Sequence, residues 1–478
     1  MKDKRLVRII GIVMFAALIV WTVMTLSGQP EAPDPDALGG TEAAAYTEAL
    51  DAYNAEIQHG YALLTLGVLV TIAYFFITEA FPIAISAMMI PCYYSAFGIM
   101  SYKEAFSGLV DSSVILFAGM FLVGGAMFQT GLAQKIGITC VKAAGGSETK
   151  LVLFIMIITG CLSAFLSNTG TVACLLPVCL GIADSQGMNR PKLLMPLAMM
   201  ASSAGMITMA GTPPNMSAAA TLSMADISIG FFDFAWAGIP IAIATIIYMM
   251  FVGNRLIPER HSDMQLADEE EGKVYSTKKQ AISGIILIVV ILTMAFFTDY
   301  IGLETVAVIG GLICVFTGCL TEKEAYQSID WTTIFLFAGA LGLANAMQTT
   351  GAGELLANQV LGIMGGSPSP YVLMITLFVL AGVLTQFMSN TAAAALLCPV
   401  GLSIAQSLGA DPTGVVLAIG FSCSAAFCTP VATPPNTMVY GPGGLTFMDY
   451  VKVGVPLFLL TGLLCVIIIP IVWPFFPA

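Results

Sequence analysis

The sequence predicts an all-α polytopic membrane protein with eleven transmembrane helices plus two re-entrant hairpins, arranged in two inverted-topology repeats. Of its 478 residues, 58% are hydrophobic and 10% charged, and the mean hydropathy is +0.90, which excludes an ordinary soluble globular chain. Apolar runs of about 20 residues, enough to cross roughly 30 Å of hydrocarbon, recur along the chain. Polar residues, glycines and prolines also recur in one order, about 220 residues apart. These two patterns predict the crossings and the repeat.

The apolar runs define the predicted crossings. Uninterrupted runs lie at 6–27, 60–78, 81–99, 112–130, 231–253, 280–298, 302–320, 332–349 and 451–473. Polar residues interrupt three further apolar regions, 151–187, 191–228 and 371–440. The first interrupted region is interpreted as one hairpin, and residues 371–408 as the other.

The predicted organisation has four parts. Residues 1–58 form the first transmembrane helix and an acidic outer loop, and 59–253 form the first repeat with hairpin 151–187. Residues 254–279 are a cytoplasmic linker, and 280–478 are the second repeat with hairpin 371–408. The first span could instead be a cleaved signal peptide, but its long apolar core lacks an A-x-A-like site. A retained first helix is therefore favoured.

Matched segments in the two halves establish the repeat. The matched letters are polar residues, glycines and prolines, so similarity between apolar helices does not explain them. The pairs include "SYKEAF" (101–106) with "TEKEAY" (321–326), "AMFQTG" (126–131) with "AMQTTG" (346–351), "LPVCLGIADSQG" (176–187) with "CPVGLSIAQSLG" (398–409), and "GTPPN" (211–215) with "ATPPN" (432–436).

Loop cations set the orientation of each hairpin, because Lys and Arg prefer the cytoplasmic side. Lys135, Lys142 and Lys150 precede the first hairpin, and Arg190 and Lys192 follow it, so both of its flanks are expected in the cytoplasm.

The second hairpin has the opposite expectation. No Lys or Arg lies between Lys323 and Lys452, so this hairpin should open to the outside. Each repeat then holds one hairpin and five crossings. Because five is an odd number, the second repeat begins on the opposite side of the membrane from the first, and the halves are inverted. The basic N-terminus "MKDKRLVR" is expected in the cytoplasm and the C-terminus outside, in a multi-pass protein of the cell inner (plasma) membrane.

Each hairpin is interrupted by the tripeptide Ser-Asn-Thr, at Ser167-Asn168-Thr169 and Ser389-Asn390-Thr391. Bare backbone groups are tolerated in a membrane only where they line a cavity or are buried in protein. Asn and Thr are good N-cap residues, and a half-helix N-terminus carries roughly half a positive charge. The hairpins therefore offer positive ends that suit an anion.

A second break follows each hairpin, at "GTPPN" and "ATPPN". Two consecutive prolines remove two donors, free carbonyls upstream, and suit the first turn of a new helix. Freed carbonyls with Asn and Ser oxygens suit a small hard cation. Ser163 precedes Ser167, and Thr385 precedes Ser389, by four residues, which predicts two hydroxyls on one helix face beside each break. Simple caps in a channel or scaffold are the alternative, which the duplication disfavours.

The breaks contain no Lys, Arg or His, so a bound anion would depend on bound cations for charge compensation. The same absence argues against an enzyme, as does the lack of an H-E-x-x-H or a partnered G-x-S-x-G pattern. The eleven cysteines form no C-x-x-C pair, which suggests neither disulfides nor zinc. A net charge of −12 suggests no nucleic-acid partner.

Paired SNT hairpins, each followed by a (G/A)TPPN break, resemble the divalent-anion/sodium symporter (DASS) family of di- and tricarboxylate transporters, from about residue 60 onward. The resemblance implies a lipid-embedded homodimer whose transport domain moves as an elevator against a scaffold. It also implies a small dianionic or trianionic substrate and co-transported sodium ions. The implied substrate contacts are Asn168, Thr169, Thr212, Ser389, Asn390, Thr391 and Pro434. One implied sodium site is Ser163, Ser167, Asn168 and Gly211, and the other is Thr385, Asn390 and Ala432.

The favoured function is sodium-coupled import of a succinate, malate, fumarate or citrate-class anion. A sodium-independent carboxylate exchanger of the same family and a sulfate/sodium symporter remain alternatives. An anion channel is the alternative from a different class.

Overall fold

The computed structural model describes residues 2–30, 33, 43–143, 147–186, 188–257, 275–297, 300–363 and 369–476. Within these ranges all regular secondary structure is helical. The helices are α1 (Lys2–Ser27), α2 (Ala43–Thr78), α3 (Ile83–Ala96), α4 (Tyr102–Ala105), α5 (Ser112–Gln129), α6 (Leu132–Ala143), α7 (Glu148–Ser163), α8 (Asn168–Gln186), α9 (Arg190–Gly205), α10 (Pro213–Ser223), α11 (Ala235–Tyr248), α12 (Asn254–Leu256), α13 (Thr277–Phe296), α14 (Leu303–Phe316), α15 (Glu322–Ser328), α16 (Trp331–Thr349), α17 (Ala352–Ile363), α18 (Pro370–Thr385), α19 (Asn390–Ser407), α20 (Thr413–Ser424), α21 (Pro434–Tyr440) and α22 (Phe447–Val472). A 3₁₀ turn at Ser107–Val110 precedes α5, and a π-helical turn at Met249–Gly253 joins α11 to α12.

Long apolar helices support a polytopic membrane protein. Six spans among the described residues are long and apolar enough to cross a bilayer, and the α15–α16 pair, bent by 52°, adds a seventh. The other predicted crossings fall on shorter helices or on broken pairs such as α9 and α10. The all-helical class is confirmed, while the count of eleven crossings and the inversion of the halves stay predictions.

The order of helices repeats along the chain. Helices α3 and α14 both have 14 residues, and α7 and α18 both have 16. Both short helices α4 and α15 begin with a capping box, formed by Ser101 with Glu104 and by Thr321 with Glu324. Hydrogen bonds from the Ser101 side chain and backbone hold the pKa of Glu104 below its usual value. The same local chemistry therefore shapes both halves.

Two amphipathic helices, α6 and α17, were not predicted as elements. Each follows a glycine in the left-handed region, Gly131 at φ +72° and Gly351 at φ +74°, which ends the preceding long helix. Each has 12 residues, too few for an apolar run that crosses a membrane.

The broken helices of the two halves pack on each other at the centre of the molecule. All residues of α20 are buried. A Cβ at Gly420 would lie 3.2 Å from Pro214 O, at the start of α10, so glycine here permits close approach of the two backbones. The hairpin α18–α19 lies against α20, and α7–α8 lies against α9. This packing places the chain breaks of both halves near one another.

Candidate functional site

The first hairpin breaks between α7, which ends at Ser163, and α8, which begins at Asn168. Asn and Thr are favoured N-cap residues, but the cap of α8 is Ser167, whose Oγ accepts from the N–H of Gly170 at 3.0 Å. Serine thus takes the capping role, and the Asn168 side chain is left to turn back toward the end of α7. The break leaves Asn168 beside the buried hydroxyl of Ser163.

Ser163 lies at the centre of an oxygen-rich cluster. Its Oγ lies 2.7 Å from Asn168 Oδ1 and 2.8 Å from Ala201 O. The amide atom of Asn168 that faces Ser163 also lies 3.0 Å from Gly211 O. A hydroxyl carries one hydrogen and can donate to only one acceptor. In one orientation of the Asn168 amide, its nitrogen donates to the oxygens around it. In the other, the amide oxygen joins the Ser163 hydroxyl and the carbonyls of Ala201 and Gly211, and four convergent oxygens are the ligand set of a hard cation.

Thr385 repeats this arrangement in the second half. Its Oγ1 lies 2.8 Å from Asn390 Oδ1 and 2.8 Å from Cys423 O, and its side chain is fully buried. Again one hydroxyl hydrogen faces two acceptors. The two clusters are equivalent positions of the repeat, separated by 222 residues at the hydroxyl, the amide and the carbonyl.

The expectation that paired hydroxyls share one helix face is wrong. The helix ends at Ser163 in the first half and at Thr385 in the second, so Ser167 and Ser389 lie beyond the helices that would have aligned them. Where the helix stops, i, i+4 spacing no longer fixes direction. The partner of each first hydroxyl is instead the Asn five residues later.

The TPPN breaks begin new helices as predicted, with α10 starting at Pro213 and α21 at Pro434. The preceding residues, Thr212 and Thr433, are N-caps with extended backbones. Each break is closed by its own asparagine: the Nδ2 of Asn215 donates to Thr208 O at 2.9 Å.

The second half has the same closure, in which Asn436 Nδ2 donates to Thr429 O at 2.9 Å. The threonine hydroxyls then tie the helix breaks to the hairpin breaks. Thr208 donates to Ala164 O, and Thr429 donates to Gln386 O. In each half the two breaks therefore form one connected unit.

One cavity of about 1010 Å³ collects the breaks of both halves. It is lined by all seven predicted substrate residues: Asn168, Thr169, Thr212, Ser389, Asn390, Thr391 and Pro434. The predicted sodium-site residues Ser167, Gly211 and Ala432 line it too. Ser163 and Thr385 do not line it but lie fully buried, each hydrogen-bonded to an asparagine that does.

The lining also includes residues that the sequence analysis missed. Thr433 is the equivalent of Thr212 in the repeat, so the register of the halves could have identified it. Phe117, Phe121, Phe128, Phe165 and Phe387 supply aromatic surface, for which the sequence offered no signal among so many apolar residues. The carbonyls of Ala201 and Cys423 were missed because backbone oxygens have no sequence signature.

The charge of the cavity is distinctive. Among the described residues that line it, the ionisable ones are the acids Glu79 and Asp330, and none is Lys, Arg or His. The Asp330 carboxylate is engaged as the N-cap of α16, accepting from the N–H groups of Thr332 and Thr333. Positive potential comes instead from the first turns of α8 and α19, which face the cavity at Asn168 and Asn390.

Known proteins resemble this chain over most of its length. The family model described as "Citrate transporter" (CitMHS) matches residues 73–400 and 360–477. An uncharacterized transporter of Haemophilus influenzae is 33% identical over 430 residues, which cover 84% of this chain and 89% of the relative. The sodium-dependent dicarboxylate transporter SdcS of Staphylococcus aureus is 26% identical over 451 residues, covering 86% and 85%.

Among solved structures, the YdaH transporter of Alcanivorax borkumensis is similar, with a TM-score of 0.58 and 15% identity. The match covers 78% of this chain and 88% of that chain. At this identity the likeness concerns the fold alone.

Proposed function

Since this chain belongs to the citrate transporter family, we propose that it imports a small di- or tricarboxylate of the succinate, malate, fumarate or citrate class together with sodium ions. Membership makes it a multi-pass membrane transporter and not an enzyme, and it confirms the resemblance carried by the two SNT hairpins. The preferred anion, the sodium coupling and the direction are the proposal.

The two acceptor-rich clusters carry the proposal of sodium coupling. At Thr385 a buried hydroxyl faces both an amide oxygen and a carbonyl oxygen, so one hydrogen is shared between two acceptors. Ser163 presents the same three groups when the Asn168 amide oxygen faces it. Buried, unpaired acceptors are costly, and a cation with oxygen ligands would relieve that cost. The name of the S. aureus relative, a sodium-dependent dicarboxylate transporter, also supports sodium as the ion.

Charge balance links these clusters to an anionic substrate. Two half-helix ends contribute roughly half a positive charge each, about one in total, whereas a dicarboxylate carries two negative charges. No basic side chain among the described lining residues supplies the remainder. A charge left uncompensated at this depth would be costly, so sodium ions next to the anion are the expected source.

We assign roles on this basis. Ser163, Asn168 and the Gly211 carbonyl hold one sodium ion, with the Ala201 carbonyl as an added ligand and Ser167 at the adjacent helix end. Thr385, Asn390 and the Ala432 backbone hold the other, with the Cys423 carbonyl. The substrate carboxylates contact Asn168, Thr169, Thr212, Ser389, Asn390, Thr391 and Pro434, to which the proposal adds Thr433.

The proposal extends to architecture. It keeps the domains 1–58, 59–253, 254–279 and 280–478, the inverted repeats, a cytoplasmic N-terminus and an outside C-terminus. It also keeps a homodimer whose transport domain moves as an elevator, which the family resemblance supports. The matching order of helices in the two halves supports the repeats.

Uptake of labelled succinate, citrate and sulfate into proteoliposomes tests the function. A carboxylate taken up only under an inward sodium gradient supports it. Sulfate uptake without carboxylate uptake would favour the sulfate symporter. Exchange of one carboxylate for another in sodium-free vesicles would favour the exchanger. Unitary currents far above carrier turnover would indicate a channel.

Calorimetry tests the coupling separately. Substrate affinity should rise steeply across a sodium series in which choline holds the ionic strength constant, and substrate should raise sodium affinity by the same factor. A flat substrate affinity would contradict sodium coupling and favour the exchanger.

A further inference from the structure

A second, smaller pocket of about 410 Å³ lies at the end of α11 and shares no lining residue with the central cavity. Helix α7 contributes its first turn, α9 contributes Lys192, and the short helix α12 contributes Asn254 and Arg255. The lining is Glu148, Thr149, Val152, Lys192, Met250, Asn254, Arg255 and Ile257. The proposed transport site uses none of these residues.

The described residues that line the pocket carry a net positive charge. Lys192 and Arg255 contribute two positive charges and Glu148 one negative charge, which leaves a formal charge of +1. The N-terminus of α7, a helix of 16 residues, adds its partial positive end, and its N-cap Ser147 makes no side-chain capping hydrogen bond. The pocket therefore suits a ligand with one negative charge.

An unsatisfied acceptor adds a second requirement. Asn254 Oδ1 is buried and has no hydrogen-bond partner among the described residues. A buried acceptor without a donor is costly, so a ligand that brings a donor to this point would be favoured. Simple inorganic anions at neutral pH are mainly acceptors and would satisfy the two cations better than they satisfy Asn254.

The surroundings of the pocket identify the source of such a ligand. Residues Ala235–Leu256 form a span long and apolar enough to cross a bilayer, and the pocket lies at its C-terminal end. An exposed apolar stripe runs along the span at helical spacing through Trp236, Ile239, Ile243, Ile247 and Phe251.

Arg255 follows the stripe four residues after Phe251. Phe251 itself lies in the π-helical turn Met249–Gly253, which ends two residues before Arg255, and such turns are frequent at functional sites. The pocket thus lies next to an apolar stripe that suits acyl chains. It is at the end of the span Ala235–Leu256, where lipid headgroups are expected.

We propose that this pocket binds the headgroup of an anionic glycerophospholipid that carries hydroxyl donors, of the phosphatidylglycerol type. The phosphodiester lies between Lys192 and Arg255 at the start of α7, and a glycerol hydroxyl donates to Asn254. The acyl chains follow the exposed stripe of α11. The single negative charge of this headgroup matches the +1 of the pocket, and basic pockets between membrane helices are known to take anionic headgroups.

Native mass spectrometry of the purified full-length protein tests the proposal. Phosphatidylglycerol should bind at least tenfold more tightly than phosphatidylcholine, which has no hydroxyl donor and no net charge. Arg255→Gln and Lys192→Gln should each weaken phosphatidylglycerol binding about tenfold, since each removes a charge-assisted hydrogen bond. Lys150→Gln is the matched control. Lys150 lies in the first turn of α7, beside Glu148 and Thr149, but does not line the pocket, so binding should be unchanged.

Three outcomes would overturn the proposal. Equal affinity for phosphatidylglycerol and phosphatidylcholine would show that the pocket does not recognise charge. Displacement of phosphatidylglycerol by millimolar inorganic phosphate would identify a site for a free anion. An equal loss of binding in Lys150→Gln would indicate non-specific attraction. An unchanged elution volume and melting temperature show that each variant remains folded.

Discussion

Ser163 Oγ lies 2.7 Å from Asn168 Oδ1, across the break that separates the two arms of the first hairpin. Thr385 and Asn390 form the same pair in the second half at 2.8 Å. In both pairs a backbone carbonyl also lies 2.8 Å from the hydroxyl, and at Thr385 it competes with the amide oxygen for the one hydroxyl hydrogen.

Removing either buried hydroxyl should weaken sodium binding. Ser163→Ala or Thr385→Ala takes one oxygen from a proposed ion site without touching the anion, so the sodium concentration for half-maximal uptake should rise about tenfold, a cost of about 1.4 kcal/mol. The maximal rate should change less. Thr385→Ser, which keeps the hydroxyl, and Thr376→Ala, an exposed position on the same helix, are the controls. A lower maximal rate at unchanged sodium dependence would contradict the ligand role.

Removing either asparagine should abolish uptake. Asn168→Ala and Asn390→Ala each delete an amide that faces both a hydroxyl cluster and the cavity, so both ion and substrate lose a contact. Size-exclusion elution should match the parent protein, because each asparagine is the first residue of its helix and is not its N-cap. Uptake at the parental rate in either variant would remove that asparagine from the site.

Gly205 should be required for the first cluster. A Cβ at this position would lie 2.5 Å from Asn168 Oδ1 and 3.0 Å from its Nδ2, so alanine must displace the amide. Gly205→Ala should therefore reduce sodium affinity at least tenfold while the protein remains folded. Gly181→Ala is the control, since a Cβ there meets no atom within 4 Å. Parental sodium affinity in Gly205→Ala would mean that the position of the amide does not matter.

Thr433 should contribute to substrate affinity as Thr212 does. Both precede the prolines of a TPPN break and line the cavity. Thr433→Ala and Thr212→Ala should each raise the KM for the carboxylate several-fold, about 1 kcal/mol for a lost hydrogen bond. Thr433→Ser should remain close to the parent. An effect confined to Thr212 would show that the halves contribute unequally to the anion site.

The two hairpins should be accessible from opposite sides. An introduced cysteine before the second hairpin can report its side of the membrane. Ser367 lies outside the described residues, so the exposed N-cap Ser369 is the better position for it. A cysteine at Ser369 should react with an impermeant thiol reagent from outside, and one at Ser147 only from inside. The parent protein with its native cysteines sets the background. Labelling of both from the same side would rule out inverted repeats.

Much of the site was predictable because polar residues inside apolar helices are strong signals. The SNT and TPPN breaks are confirmed as breaks, and their residues meet at one cavity although the two halves are 222 residues apart in sequence. Repetition supplied the pairing, since two matching breaks in one chain suggest one shared site.

The remaining features depend on information that the sequence does not display. Which residue caps α8 depends on where the helix begins, and a shift of one residue exchanged Asn168 for Ser167. The carbonyls of Ala201 and Cys423 enter the clusters through backbone direction alone. The amphipathic helices α6 and α17 were missed because a search for apolar runs does not detect short surface helices.

The oxygen-rich clusters around Ser163 and Thr385 also bear on how the protein withstands heat. A ligand that binds only the native chain adds RT ln(1 + [L]/Kd) to the free energy of unfolding, about 2.7 kcal/mol at one hundred times Kd. Two such ions would bind at two oxygen-rich clusters in the buried centre of the molecule. Sodium would then be a structural ligand as well as cargo, and the salt composition of the surroundings would set the lifetime of the native fold.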